Sequence, residues 1–318
     1  MKLQTQIPLE KQSDNLLDYS SNVLLLGSCF VENIGDKMAY FKFKNLSNPF
    51  GILFHPKAIE TLMTNAIKQK QYSEAEVFFH NEQWHSYDAH SNLSDASQEK
   101  IIQTLNHQLS ATAKQLISAT HIIITLGTAW TYIHSKTNST VANCHKVPQK
   151  EFEKKLLSVE DIVNSLKMTV EQIHQINPKA SIIFTVSPVR HIKDGFVENT
   201  LSKSHLIASI HQLLSEHVHL TCSYFPSYEI MIDELRDYRF YDGDMLHPNQ
   251  TAIEYIWRKF QSVWISDEAL KTMEEVDSVQ KGLKHKPFNA GSKAHQKFLH
   301  QLELKKEKLQ REFPHIKF

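Results

Sequence analysis

The chain is short of glycine and cysteine. Eight glycines in 318 residues leave little for long flexible linkers, and no low-complexity tract supplies one. Three cysteines, Cys29, Cys144 and Cys222, form no CxxC pair, so no disulfide framework is expected. A reducing, cytoplasmic location is the simplest expectation. Neither charge is in surplus: 35 Lys and Arg face 35 Asp and Glu. No global field therefore recruits nucleic acid or an anionic membrane. No apolar run reaches membrane-spanning length, and Met1–Pro8 lacks the apolar region of a secretory signal.

What is present is an alternation of buried-strand and amphipathic-helix patterns. Residues 23–26, 121–127, 181–186 and 218–224 are apolar or β-branched runs. Helical spacing follows in residues 56–68, 97–118, 158–176 and 201–217, and again after Pro248. Ser158 and Asp161 stand where a capping box would open the third of these. Helices between buried strands predict an α/β fold, a parallel sheet covered on both faces. Residues 1–265 read as one α/β domain with a loop-rich insertion near 72–94. Residues 266–318 read as a helical extension packed on that domain.

The first strand ends in Gly27-Ser28, and helix-like sequence begins at once. This puts a serine hydroxyl at the carboxyl edge of the sheet and beside a helix N-terminus, where a nucleophile is exposed and an oxyanion is stabilised. An ordinary N-cap occupies the same position. Asp242-Gly243-Asp244-Met245-Leu246-His247-Pro248 follows the last strand and should return to that edge. His247 can then take the Ser28 proton, with Asp244 orienting its ring and Asp242 as the rival carboxylate. Arg190 and His191 follow the 181–186 strand and should face the same edge. They offer an anion-binding group and a second base or substrate partner. Trp84 and His90 lie in the insertion, positioned to roof a pocket. Asp88 and His90 lack a third ligand, so no metal is expected. Cys29 is the rival nucleophile, since a thiol at a helix N-terminus is activated.

Gly27-Ser28-Cys29-Phe30 and Asp244-Met245-Leu246-His247-Pro248 together resemble the GSCFA family, a branch similar to the SGNH (GDSL-like) hydrolases. Asn48-Pro49-Phe50-Gly51, Leu126-Gly127-Thr128-Ala129-Trp130, Ser187-Pro188-Val189-Arg190-His191 and Phe225-Pro226-Ser227-Tyr228-Glu229 stand in supporting order. Val31 replaces the alanine of the eponymous motif. The resemblance implies a three-layer α/β/α, flavodoxin-like sheet and a Ser28–His247–Asp244 triad. It also implies an oxyanion hole from Ser28 N–H, a glycine N–H, here Gly51, and an asparagine after Gly127. This chain has Thr128 there, whose hydroxyl can donate one hydrogen bond to the oxyanion but reaches less far than an amide. Asn48 and Trp84 N–H are the substitutes at hand, and Asn48 is a substrate contact as well.

The expected activity is that of a serine esterase acting on a small-molecule or glycan ester, with no cofactor and no metal. Acyl transfer to a second alcohol would use the same residues. A non-catalytic binding protein on the same fold is the alternative from another class, and metal-assisted phosphoester hydrolysis a third. The chain is expected to act as a monomer or homodimer.

Overall fold

The structure is a computed structural model that describes residues 5–216 and 221–318. Five parallel strands form its central sheet: β1 (Asn22–Gly27), β2 (Lys44–Ser47), β5 (His121–Leu126), β9 (Ser181–Val186) and β10 (Cys222–Tyr224). Their spatial order is β10-β9-β5-β1-β2, the doubly wound order in which the chain reverses direction between β1 and β5. Ligands in such sheets bind outside the carboxyl ends at that reversal. The sheet and its flanking helices are the α/β/α arrangement expected from the sequence.

Each face of the sheet carries its own core. Leu24, Leu26, Ile122, Ile124, Ile182 and Phe184 point to one side. They are covered there by α2 (Pro56–Ile67), α3 (Gln98–Ser118), α4 (Val159–Ile176) and α5 (Phe196–Glu216). Val23, Leu25, Ile123 and Ile183 point to the other side, toward α1 (Cys29–Tyr40) and α7 (Gln250–Trp264). The alternation is the period-2 signature of strands buried on both faces. The short α6 (Ser227–Glu229) continues as a π turn over Ile230–Glu234. Two C-terminal helices, α8 (Asp267–Lys284) and α9 (Lys293–Glu312), add Met273, Val276, Leu302 and Leu309 to the second core. The segment after Ser266 is thus built onto the same core as Trp257. No helix of the described residues is long and apolar enough to cross a membrane.

Several boundaries differ from expectation. The insertion holds an antiparallel hairpin, β3 (Phe78–His80) with β4 (Gln83–His85). A second antiparallel sheet joins β6 (Trp130–His134), β7 (Ser139–Val141) and β8 (Phe152–Leu156). The short apolar run at residues 77–79 marks β3, whereas β2, β6, β7 and β8 are mixed in polarity and mostly partly exposed, so no continuous apolar run announced them. Helix α7 begins at Gln250 with Asn249 as its cap, two residues past Pro248. The last strand was expected from Val218, but residues 217–220 lie outside the described residues, and β10 starts at Cys222. The Ser158–Asp161 capping box is present, both of its hydrogen bonds formed.

Gly27 shows what fixes the end of β1. Its φ is +131°, and a Cβ there would lie 2.0 Å from the Thr125 carbonyl oxygen. No side chain fits without parting β1 from β5. The Gly27→Ala protein should lose roughly 3 kcal/mol or more of folding stability. Urea unfolding measures it, and a loss below about 1 kcal/mol would show that the strand end tolerates a Cβ.

Candidate active site

Ser28 caps α1. Phe30 N–H donates to Ser28 Oγ at 3.4 Å, and the residue is fully buried. Gly127, the residue after β5, lies beside it: a Cβ on Gly127 would stand 3.2 Å from Ser28 Cβ and 3.2 Å from His191 Nε2. Ser28, Gly127 and His191 therefore share one small space at the reversal of the sheet.

The Asp244–His247 pair is assembled on the neighbouring turn. Asp244 Oδ2 lies 2.6 Å from His247 Nδ1. Asp244 Oδ1 accepts the backbone N–H groups of Leu246 (2.8 Å) and His247 (3.0 Å). Those two bonds and the His247 side chain push the Asp244 carboxyl down to about 2. A carboxylate at this position accepts a hydrogen, so Nδ1 carries the proton and Nε2 keeps its lone pair. The turn is stitched to the segment after β9 by Arg190 N–H to the Leu246 carbonyl (3.1 Å). It is close enough for His247 to bear electrostatically on His191. The hydrogen bond of Ser28 Oγ goes to Phe30 rather than to His247, whose side chain is 48% exposed.

The amides expected to cradle an oxyanion are engaged elsewhere. Ser28 N–H donates to the Thr125 carbonyl at 3.0 Å, and Gly51 N–H to the Asn48 carbonyl at 2.7 Å. Thr128 N–H donates to the Phe54 carbonyl at 3.0 Å, and its hydroxyl accepts Trp130 N–H (3.1 Å) beside Ser202 Oγ (3.0 Å). Trp84 N–H pairs with the Asp95 carbonyl at 2.7 Å. Gly51 is a glycine for a different reason: its φ is +70°, and a Cβ would lie 2.5 Å from His90 Cβ.

The expected substrate contacts divide. Asn48 is a tie within the fold, its Oδ1 accepting Gly27 N–H at 2.9 Å. Trp84 packs against Phe79 in the hairpin, and His90 caps Asn92 N–H. Arg190 lies over the Tyr241 and Tyr238 rings and donates to the Met245 carbonyl at 3.5 Å, which makes it a support of the His247 turn. Asp88 is held by Lys70, Tyr72 and Asn65. Of these residues, only His191 lines the cavity of about 550 Å³ beside the site, together with Phe54, Thr128, Trp130, Tyr132 and Asn143. Burial and the Glu32 carboxylate push the Cys29 thiol up, so it is no ready thiolate.

Helix α5 supplies residues the sequence reading missed. Asn199 Oδ1 accepts His191 N–H (2.8 Å), and Ser202 Oγ accepts Ala129 N–H (2.7 Å). Lys203, fully buried, donates from Nζ to the carbonyls of Gly127 (2.7 Å) and Ser187 (2.8 Å). Burial lowers its ammonium to about 7. A signal was available: Asn199 and Lys203 occupy the buried stripe continued by Leu206, Ile210 and Leu213.

Two family descriptions match the chain. The family described as GSCFA family matches residues 22–260, and the one described as GSCFA domain protein, C-terminal domain, matches residues 276–318. No curated protein matches the chain. Among solved structures, an acetyl xylan esterase from the rumen bacterium Butyrivibrio proteoclasticus is similar at 12% identity and a TM-score of 0.34. The match covers 85% of this chain and 66% of that one, so the chain spans just under two thirds of that protein. At that score nothing about activity follows from the likeness.

Three desolvated histidines predict a pH dependence of folding stability. Desolvation lowers His55 and His145 to about 4 and His191 to about 3, from an ordinary 6.5. His55 Nδ1 accepts Ala58 N–H, so its Nε2–H donates to the Val141 carbonyl. The unfolded chain takes up these protons near pH 6.5 and the folded chain only below about 4. Stability should therefore fall as pH drops from about 6.5 toward 4. His55→Asn keeps a capping oxygen but removes one titration, so its loss over that range should be smaller. Urea midpoints measured at several pH values test this, and an unchanged slope in the variant would refute it.

Proposed function

The chain belongs to the GSCFA family, and on that premise we propose that it is a serine esterase of SGNH type. Its substrate would be an acyl ester on a polar, carbohydrate-like acceptor. The observation that carries the reading is the Asp244–His247 pair, a 2.6 Å hydrogen bond that leaves Nε2 as a base at the sheet edge bearing Ser28. His247 Nε2 takes the Ser28 proton while Oγ bonds to the acyl carbon. The carbon–alkoxy bond then breaks, and His247 returns the proton to the leaving alcohol. Water, activated by the same imidazole, releases the acid and frees Ser28; a second alcohol in its place gives acyl transfer.

The cavity beside His191 supports this substrate class. Trp130 and Tyr132 offer apolar ring faces, and Asn143 and Gln149 offer amides, a lining suited to a hydroxylated ligand. Lys154 lies 4.4 Å from the Trp130 ring centroid and is paired with Asp194, which fixes that ring. Because Ser28 is buried, reaction requires movement of the exposed turn at residues 242–247. That turn is joined to its neighbours by Arg190 and by its own Asp242 N–H to His247 carbonyl bond (2.8 Å).

A second reading, a binding protein with a resting triad, is favoured by the same burial and by the engaged amides of Ser28, Gly51 and Thr128. A fluorophosphonate probe separates the two. Wild type should be labelled and should hydrolyse p-nitrophenyl acetate, and Ser28→Ala should do neither. Asp244→Asn should retain the fold and lose about a thousandfold or more in kcat. Folded wild type that shows no Ser28-dependent labelling would leave the binding reading in place of the esterase.

A further inference from the structure

One polar atom near Ser28 is left without work by the fold. Among the described residues, His191 Nε2 is buried and has no hydrogen-bond partner. A buried donor or acceptor in that condition costs stability, and native proteins leave few of them. Its neighbours are known: the point where a Cβ on Gly127 would stand is 3.2 Å from His191 Nε2 and 3.2 Å from Ser28 Cβ. The ring is also held in place. Its backbone N–H donates to Asn199 Oδ1 at 2.8 Å, and Phe54 meets it edge to face with centroids 5.4 Å apart.

We propose that His191 is a catalytic residue of the esterase reaction, its Nε2–H giving the developing oxyanion the side-chain hydrogen bond that Thr128 does not give. The inference rests on the esterase reading above. Two observations favour a donor over a second base. First, burial, with the Lys203 and His247 charges, lowers the ring to about 3, so it neither takes up a proton near neutral pH nor serves as a useful base. A neutral imidazole kept uncharged by its surroundings is a competent electrophile. Second, the other donors at this edge are occupied: Ser28 N–H by Thr125, Gly51 N–H by Asn48 and Thr128 N–H by Phe54. No proton is transferred. Nε2–H hydrogen-bonds the carbonyl oxygen as negative charge grows on it, and the bond weakens again when the carbonyl re-forms.

Wild type, His191→Ala, His191→Gln and His191→Phe are compared on p-nitrophenyl acetate, with circular dichroism and thermal melting as fold controls. Glutamine places an amide N–H near the position of Nε2, and phenylalanine keeps the ring without a donor. The expected result is a loss of about 10²–10³-fold in kcat for alanine and phenylalanine, with KM changed by less than about threefold. Glutamine should recover at least about tenfold of that loss, and the acidic limb of the rate profile should stay where it is in wild type. The imidazole 15N spectrum of wild type should show His191 neutral and protonated at Nε2 from pH 8 to pH 5. An alanine variant within about fivefold of wild type overturns the proposal, as does a phenylalanine variant equal to glutamine. An acidic limb displaced by the His191 substitutions overturns it in favour of a base. A wild type without Ser28-dependent turnover is a different failure, that of the esterase reading itself, and it is seen before any His191 variant is made.

Discussion

A single buried ammonium group holds the carboxyl edge of the sheet together. Lys203 Nζ reaches from α5 to the carbonyls of Gly127 and Ser187, the residues that immediately follow β5 and β9. No carboxylate accompanies it in those bonds, so two peptide dipoles in a desolvated space must satisfy it. Such a group is expensive to bury, and removing either carbonyl partner would leave it worse off. The two loops are therefore fixed relative to one another by one side chain. Asn199 and Ser202, on the same helix face, extend that restraint to His191 and Ala129.

The consequence for the candidate site is a contrast between a restrained part and an exposed part. Ser28, Gly127 and His191 sit on the restrained side: Ser28 N–H donates to the Thr125 carbonyl of β5, Gly127 N–H to the Phe54 carbonyl and His191 N–H to Asn199 Oδ1. Asp244 and His247 sit on an exposed turn whose ties to the restrained side run through Arg190. In the proposed esterase, this arrangement would hold an oxyanion donor preorganised beside the sheet and let the base on its turn come within reach of the nucleophile.

Much of this was legible in the sequence, for identifiable reasons. The strands β1, β5 and β9 carry unbroken apolar runs because both of their faces are covered. Ser158 with Asp161, and Asp244 with His247, meet because their partners lie three residues away, where local geometry alone decides. What escaped was set by distant partners. Strands β6, β7 and β8 carry mostly polar residues and exist through pairing with one another. The engagement of the Gly51 and Thr128 amides depends on where Asn48 and Phe54 come to rest. Lys203 stands in no motif that singles it out. Only its phase on the α5 stripe, in step with Leu206 and Ile210, marked it as buried.

The second core has a bearing on how the protein is made. Leu17 pairs with Ile265, and both belong with Val23, Leu302 and Ile316 to one cluster beneath the sheet. Helix α1 follows β1 directly and covers that face with residues already made, while α7, α8 and α9 join the same cluster from far along the sequence. The core on this side therefore begins as a local contact and is completed only by pairings of long sequence separation, the kind that slows folding.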